Sequence, residues 1–305
     1  MKVLVATEKP FAKAAVDGIR KIVEGAGFEL ALLEKYTDTK DLLNAVADAD
    51  ALIVRSDKVT KDVVDAAKNL KIVVRAGAGF DNLDMAACTA KNIVAMNTPG
   101  QNSNAVAELA LGMMVYMARN TFQSGTGTEL KGKKIGIHAY GNVGKLVAHI
   151  AKGFGMEAYA FDPFVPADVI VKDGVNVVDS TATLYSTCDY VSLHIPANDK
   201  TKKSINYELL SKMPKGATLV NTARKEVIDE AGMAKLMTER TDFKYITDIM
   251  PDNHTEMQQF GTRYFATPKK MGAETAEANI NAGLAAANQI VKFIKTGDKT
   301  FQVNR

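Results

Sequence analysis

Lys133-Lys134-Ile135-Gly136-Ile137-His138-Ala139-Tyr140-Gly141-Asn142-Val143-Gly144, followed after a helical interval by Ala158-Tyr159-Ala160-Phe161-Asp162, decides how this chain is read. Ile135 and Ile137 form a short apolar run that enters a turn with glycines at 141 and 144. Val143, Leu146, Val147, Ile150 and Phe154 then recur at helical spacing. A second apolar run ends on an acid. Strand, turn, helix and strand in this order carry the fingerprint of a dinucleotide site. Glycine lets backbone approach a pyrophosphate, the helix N-terminus offers free N–H groups, and the terminal carboxylate accepts from ribose hydroxyls. Gly141, Asn142, Val143 and Gly144 are therefore the expected pyrophosphate contacts, and Asp162 the ribose contact. The first glycine of G-x-G-x-x-G is replaced by Ala139, whereas Asp162 stands about 20 residues beyond the glycines, as the fingerprint requires. Pro163 after Asp162, with no adjacent Arg, favours NAD over NADP.

Outward from this unit, strands and helices alternate. Upstream, apolar runs at Val3 to Val5, Leu30 to Leu33, Ala51 to Val54 and Ile72 to Val74 predict strands, interleaved with helices that begin near Phe11, Lys40 and Val59. Downstream, strands are expected at Tyr190 to His194, Ala217 to Val220, Tyr245 to Thr247 and Tyr264 to Ala266, with helices near Thr181, Tyr207 and Glu230. Such alternation implies an α/β chain with doubly wound parallel sheets. Asn97-Thr98-Pro99-Gly100 punctuates it, and Asn102 or Ser103 suits the cap of a long helix. Met113, Met114 and Met117 in that helix suggest burial between domains or subunits. A final helix, Ala273 to Lys295, is placed to return and complete the first domain.

With 305 residues, the chain has room for two domains of ordinary size. A net charge of +3, with no long block of one sign, argues against nucleic acid and membrane surfaces and leaves small-molecule partners. No apolar run reaches spanning length and no secretory leader is visible, so a cytoplasmic protein is expected. Cys88 and Cys188 lack metal-ligand spacing, no metal site is expected, and both read as buried thiols in a reducing compartment.

In open parallel sheets, ligands collect at the carboxyl ends of strands. Arg55 and Arg75 each follow a strand, and Gly77-Ala78-Gly79 can form a backbone nest for an anion. A tight turn beside two surface arginines explains the same residues equally well.

Taken together, Val54-Arg55-Ser56, Val74-Arg75-Ala76-Gly77-Ala78-Gly79-Phe80-Asp81, Asn97 to Gly100, the altered glycine motif, Asn221-Thr222-Ala223-Arg224, Thr247-Asp248 and Gly272 to Ala278 resemble the D-2-hydroxyacid dehydrogenase family. The likeness is greatest to its branch acting on 3-phosphoglycerate. The resemblance implies a flavodoxin-like substrate domain, 1–98 and 275–305, and a Rossmann NAD-binding domain, 99–274, with catalysis in the cleft between them. It implies NAD as cofactor, an anionic substrate and a homodimer. The implied reaction is 3-phosphoglycerate to 3-phosphohydroxypyruvate, in serine synthesis. A glyoxylate or hydroxypyruvate reductase, or an NAD(H)-sensing binding protein, stands as the alternative. No appended regulatory domain is expected beyond Arg305.

By the same resemblance, Gly77 to Gly79 hold the substrate carboxylate, Arg224 binds carboxylate and polarises the reacting oxygen, and Arg55 and Arg75 meet the phosphate. Thr222, Ala223 and His194 line the cofactor, and Asp248 holds the nicotinamide amide. The family's acid/base His, before the Gly-Ala pair, falls on Lys270 counted from one side and Lys269 from the other, and Lys270 is preferred because the match toward the C-terminal helix is longer. Its orienting Glu falls on Asn253, beside His254. Desolvation or a cationic neighbour lowers a lysine's pKa and makes it a base. Loss of the partner carboxylate at Asn253 points the same way, with Lys269 or Lys270 as base and His254 as a further proton carrier.

Overall fold

The computed structural model describes residues 1–304. The chain divides into two compact units, Met1–Asn102 with Glu274–Arg305, and Ser103–Ala273.

The first unit runs β1 (Lys2–Thr7), α1 (Lys13–Gly25), β2 (Glu29–Glu34), α2 (Thr39–Val46), β3 (Ala51–Val54), α3 (Lys61–Ala66), β4 (Ile72–Arg75), α4 (Met85–Ala90) and β5 (Val94–Asn97), and it ends with the C-terminal helix Ala276–Thr296. Its five parallel strands lie in the order β2-β1-β3-β4-β5, the flavodoxin-like arrangement. Alternation along the strands divides the apolar residues between two faces. Leu4, Leu52, Val54 and Val73 join one core, and Val3, Val5, Ile53, Ile72 and Val74 the other. A sheet covered on both faces has no reason to alternate apolar with polar, and β3 is buried at all four positions. The second core includes Ala282, Ala286, Ala287 and Ile290 of the C-terminal helix, which lies against α1.

The second unit runs α5 (Ser103–Ala118), β6 (Lys134–His138), α6 (Asn142–Gly153), β7 (Glu157–Phe161), α7 (Ala167–Lys172), β8 (Asn176–Val177), α8 (Thr181–Thr187), β9 (Tyr190–Leu193), α9 (Tyr207–Leu210), β10 (Thr218–Asn221), α10 (Glu230–Glu239), β11 (Lys244–Thr247), α11 (His254–Met257) and β12 (Tyr264–Ala266). The seven strands are ordered β12-β11-β10-β9-β6-β7-β8, so the chain reverses direction across the sheet between β6 and β9. That is the topological switch point where a doubly wound sheet opens a crevice for a ligand.

Met113, Met114 and Met117 are buried in the core that α5 shares with α6, β10 and β11. Their expected placement between domains or subunits gives way to one inside the second unit. Five of these elements lack a sequence counterpart: α4, β5, α7, β8 and α11. The helices are four to six residues long, under two turns, and the strands four and two, too short for any period to register. Cys88 and Cys188 are buried and unbridged. Among the described residues, no helix is long and apolar enough to cross a membrane.

Candidate functional site

At the end of β6 the chain turns into α6 with Gly141 as the residue before the helix. A Cβ on Gly144 would come within 2.3 Å of the Ala139 carbonyl oxygen, so this glycine is what permits helix and strand to approach. A Cβ on the exposed Gly141 would meet nothing within 4 Å, which leaves open space over the helix N-terminus. One glycine packs and the other stays clear, the division of labour a pyrophosphate site requires. Ala139 occupies the place of the missing glycine and adopts φ +81°, a conformation strained for any residue with a Cβ.

Asp162, just past β7, accepts from Tyr140 N at 2.7 Å and Phe164 N at 2.8 Å. Each oxygen is oriented by one N–H and retains a lone pair for a hydroxyl. At the ends of β6 and β9, His138 Nδ1 lies 3.1 Å from Tyr185 Oη. Burial lowers His138 to about 4, against the opposing charge of Asp162. Burial, then the nearby His138, lowers His194 to about 3, so both rings are neutral at physiological pH. His194 Nε2 and Thr222 Oγ1 are buried without a hydrogen-bond partner among the described residues.

A second cluster forms where β10 and β11 end. The buried Asn221 clasps its own turn: Oδ1 accepts from Ala223 N and Nδ2 donates to Arg224 O, both at 3.0 Å. This presents the carbonyls of Thr222 and Ala223 to Lys270 Nζ, at 3.2 and 3.0 Å. Lys270 also pairs with Asp248 at 3.0 Å, and Gly272 N donates to the same carboxylate at 2.8 Å. Arg224 Nη1 donates to Ala223 O at 3.0 Å, so the two cations share one carbonyl. Burial pushes the Lys270 ammonium below the usual lysine range. The Asp248 carboxylate opposes this and Arg224 adds to it.

In the first unit, Arg55 and Arg75 stand at the ends of the paired strands β3 and β4. Arg55 donates to the carbonyls of Lys9 and Pro10 and to Asn279 Oδ1, and lies over the Phe11 ring. Arg75 Nε donates to Arg55 O at 3.0 Å. Asp57, 4% exposed, accepts from Glu8 N, Tyr36 Oη and Arg55 N and pins this corner.

Residues 104–268 match the family model described as D-isomer specific 2-hydroxyacid dehydrogenase, NAD binding domain. The D-3-phosphoglycerate dehydrogenase of Methanocaldococcus jannaschii is 36% identical over 291 residues, 90% of this chain and 55% of that protein. The hydroxypyruvate reductase of Thermotoga maritima is 33% identical over 282 residues, 87% of this chain and 91% of that one. A crystal structure of NAD+-bound 3-phosphoglycerate dehydrogenase from Entamoeba histolytica matches with a TM-score of 0.90 at 49% identity, covering 100% of this chain and 99% of that chain. The chain belongs to the D-2-hydroxyacid dehydrogenase family. It carries that family's NAD-binding domain, and it spans about half the length of the first relative named.

Several expected roles need revision within this family frame. Gly77 N is not available to an anion, because it donates to Arg75 O at 2.9 Å; the nest reduces to the N–H groups of Ala78 and Gly79. Asp248 is fully buried and already engaged by Lys270 and Gly272, which leaves little of it for a nicotinamide amide. The same contact corrects the expectation that the lysine has lost its partner carboxylate: Asp248 supplies one. The cationic neighbour is Arg224 rather than Lys269, which is exposed and forms no ion pair among the described residues. Asn253 turns to Glu230, which accepts its backbone N–H at 3.1 Å, and His254 Nδ1 lies 2.8 Å from Tyr264 Oη. Neither reaches the Lys270 cluster. Asp57 and Glu230 went unnoticed in the sequence, since a buried carboxylate that organises a loop leaves no spacing signature.

Two measurements test the cofactor half. Ala139→Gly should raise the free energy of unfolding by about 1 kcal/mol in urea denaturation, because glycine tolerates the positive φ. Asp162→Ala should weaken NADH binding about tenfold to a hundredfold, the worth of a hydrogen bond to a charged group, and weaken NADPH less. Unchanged NADH affinity would remove Asp162 from the ribose site.

Proposed function

We propose that the chain is an NAD-dependent D-2-hydroxyacid dehydrogenase acting on 3-phosphoglycerate in serine synthesis. Bound NAD supplies the acceptor for the hydride that leaves C2. In the proposal Lys270 takes the hydroxyl proton, so that 3-phosphohydroxypyruvate forms and the lysine ends as ammonium. Arg224 binds the carboxylate and polarises the reacting oxygen, its planar fork being matched to both. Ala78 and Gly79 offer N–H groups to the carboxylate, and Arg55 and Arg75 take the phosphate.

What carries the reading is the convergence of Lys270 Nζ and Arg224 Nη1 on Ala223 O, a base and an electrophile brought to one place by Asn221. The phosphorylated substrate is supported by the paired arginines at adjacent strand ends and by the likeness to a 3-phosphoglycerate dehydrogenase at 49% identity. The hydroxypyruvate reductase relative favours a second reading, in which the same residues serve reduction of an unphosphorylated 2-oxo acid. Two buried, unbridged thiols suit a reducing cytoplasm, and a homodimer is carried over from the family resemblance.

NADH absorbance with NAD and D-2-hydroxy acids, with and without phosphate, separates these readings. The phosphorylated acid should be preferred, and Arg55→Gln should raise KM for it alone. No turnover on any acid, alongside tight NADH binding, would leave a binding protein. Lys270→Ala should lower kcat about 10²- to 10⁴-fold, the usual share of general acid–base catalysis, while Lys269→Ala stays near wild type. Comparable losses in both variants would contradict the assignment.

The sign of the pH dependence follows from which form of Lys270 starts each direction. Oxidation needs the neutral amine and should rise with pH through the lowered lysine pKa; reduction needs the ammonium and should fall through it. Asp248→Asn removes the charge that raises this pKa, so both limbs should move to lower pH. A limb that stays in place would uncouple Asp248 from the proton transfer.

A further inference from the structure

Within the first unit, the Asp57 carboxylate ties together two segments that lie 49 residues apart in sequence. Its Oδ2 accepts from Arg55 N at 3.2 Å, inside its own turn. Its Oδ1 accepts from Glu8 N at 2.7 Å, at the head of the loop after β1. That loop carries the carbonyls of Lys9 and Pro10, to which Arg55 Nη1 donates at 3.1 and 3.2 Å. One carboxylate thus fixes both the backbone from which the arginine departs and the acceptors on which its guanidinium rests, so the ring of contacts closes on itself. Asn82 Nδ2 reinforces it by donating to Asp57 O at 2.7 Å and to Arg55 O at 3.3 Å. Tyr36, just past β2, closes the far side by donating from Oη to Oδ1 at 2.9 Å. Burial, and then the bond to Asp57, raise the Tyr36 phenol above its usual range, so the hydroxyl stays a donor.

The guanidinium held in this way is suited to an anion. Nη2 donates to Oδ1 of Asn279, whose own amide is turned by its bond to the Thr275 carbonyl at 2.8 Å, and the group lies over the Phe11 ring, 5.2 Å from its centre. Three of the five N–H groups are used in these contacts, which leaves Nε–H and one N–H of Nη2 among the described residues. All three acceptors are neutral, so they fix the direction of the positive charge without cancelling it.

We propose that Asp57 is a positioning residue that, by fixing Arg55, selects substrates carrying a phosphate; the proposal rests on the reading that puts the phosphate at Arg55 and Arg75. Asp57 itself meets no substrate, since it is buried with both oxygens engaged. Arg75 shares in the effect, because its Nε is held on Arg55 O at 3.0 Å. A free arginine side chain must be ordered when it meets a phosphate, whereas one already ordered binds without that entropy loss.

Asp57→Asn and Tyr36→Phe, made in the full chain, separate positioning from support of the fold. An asparagine can keep its oxygen toward Glu8 N and Tyr36 Oη only by turning its amide N–H against Arg55 N, donor to donor. A phenylalanine at 36 removes one donor and leaves the bonds to Arg55 and Glu8 intact. Asp57→Asn should raise KM for 3-phosphoglycerate about tenfold or more, the worth of a charged contact, with kcat near wild type and KM for an unphosphorylated 2-hydroxy acid unchanged. Tyr36→Phe should lower the thermal midpoint as Asp57→Asn does, yet leave both KM values near wild type. Independently of turnover, the Arg55 Nε–H resonance, identified by its loss in Arg55→Gln, should shift or broaden in Asp57→Asn and stay in place in Tyr36→Phe. The proposal fails if Asp57→Asn leaves that resonance unmoved, if it leaves KM unchanged where Arg55→Gln raises it, or if both variants raise KM alike. A wild-type chain that does not turn over 3-phosphoglycerate, or an Arg55→Gln variant with unchanged KM, would instead overturn the phosphate reading and the selectivity with it, and the resonance would still decide whether Asp57 orders Arg55.

Discussion

Every ladder between the strands of both sheets is parallel, and much of the molecule follows from that constraint. Parallel neighbours cannot be joined by a tight hairpin, so the chain returns across a face after each strand, and helices come to cover both sides. The interior strands are then buried on both faces, as β3, β9 and β10 are. The strands of a sheet also finish along a single edge. Arg55 and Arg75 stand at that edge in the first sheet. His138, Asp162, His194, the segment Asn221 to Arg224 and Asp248 stand at it in the second. The functional residues are dispersed in sequence and gathered by topology.

Along the second edge, one buried charge governs the local arrangement. Asp248 has no exposed surface and follows directly on β11, where its N–H is tied to Asn221 O at 3.1 Å. A carboxylate in that position needs partners, because an unpaired buried charge is far more costly than a paired one. Lys270 and Gly272 N supply them from the loop after β12, and the loop is held again where Thr267 N meets Thr247 O at 3.1 Å. Residues 267–272 are thus anchored by long-range electrostatics and hydrogen bonding, not by a helix or strand of their own.

This difference explains what could be read in the sequence. Strands such as β3 announce themselves as unbroken apolar runs, and α6 by its spacing behind Gly141 and Gly144. The Asn221 to Arg224 turn was legible only through the family resemblance, although its chemistry is local, Asn221 clasping groups two and three residues away. The pairing of Lys270 with Asp248 spans 22 residues and depends on two strands lying side by side, and no spacing rule encodes it. The reading that lysine had lost a carboxylate looked to Asn253, where a family resemblance pointed, and missed an acid already in the same cluster. Lys270 was preferred to Lys269 only because the family match toward the C-terminal helix is the longer one. The loop turns one ammonium inward and leaves the other in solvent.

A lysine so placed differs in kind from a histidine in the same role. Its ammonium has three protons, and Asp248 with the carbonyls of Thr222 and Ala223 provides acceptors for all of them. In the proposed reaction, the acid form is therefore stabilised by hydrogen bonds to the protein, while burial and the Arg224 charge favour the neutral amine. These tendencies oppose one another across a single nitrogen, the condition under which a residue can give and take a proton in the two directions of a reversible hydride transfer. A substrate hydroxyl arriving at Nζ must displace one of the carbonyl contacts, and Ala223 O, already shared with Arg224, is the one whose loss costs least. On that reasoning, substrate binding and the exchange of Lys270's partners are one event, and Asn221, which fixes those carbonyls, determines how readily it occurs.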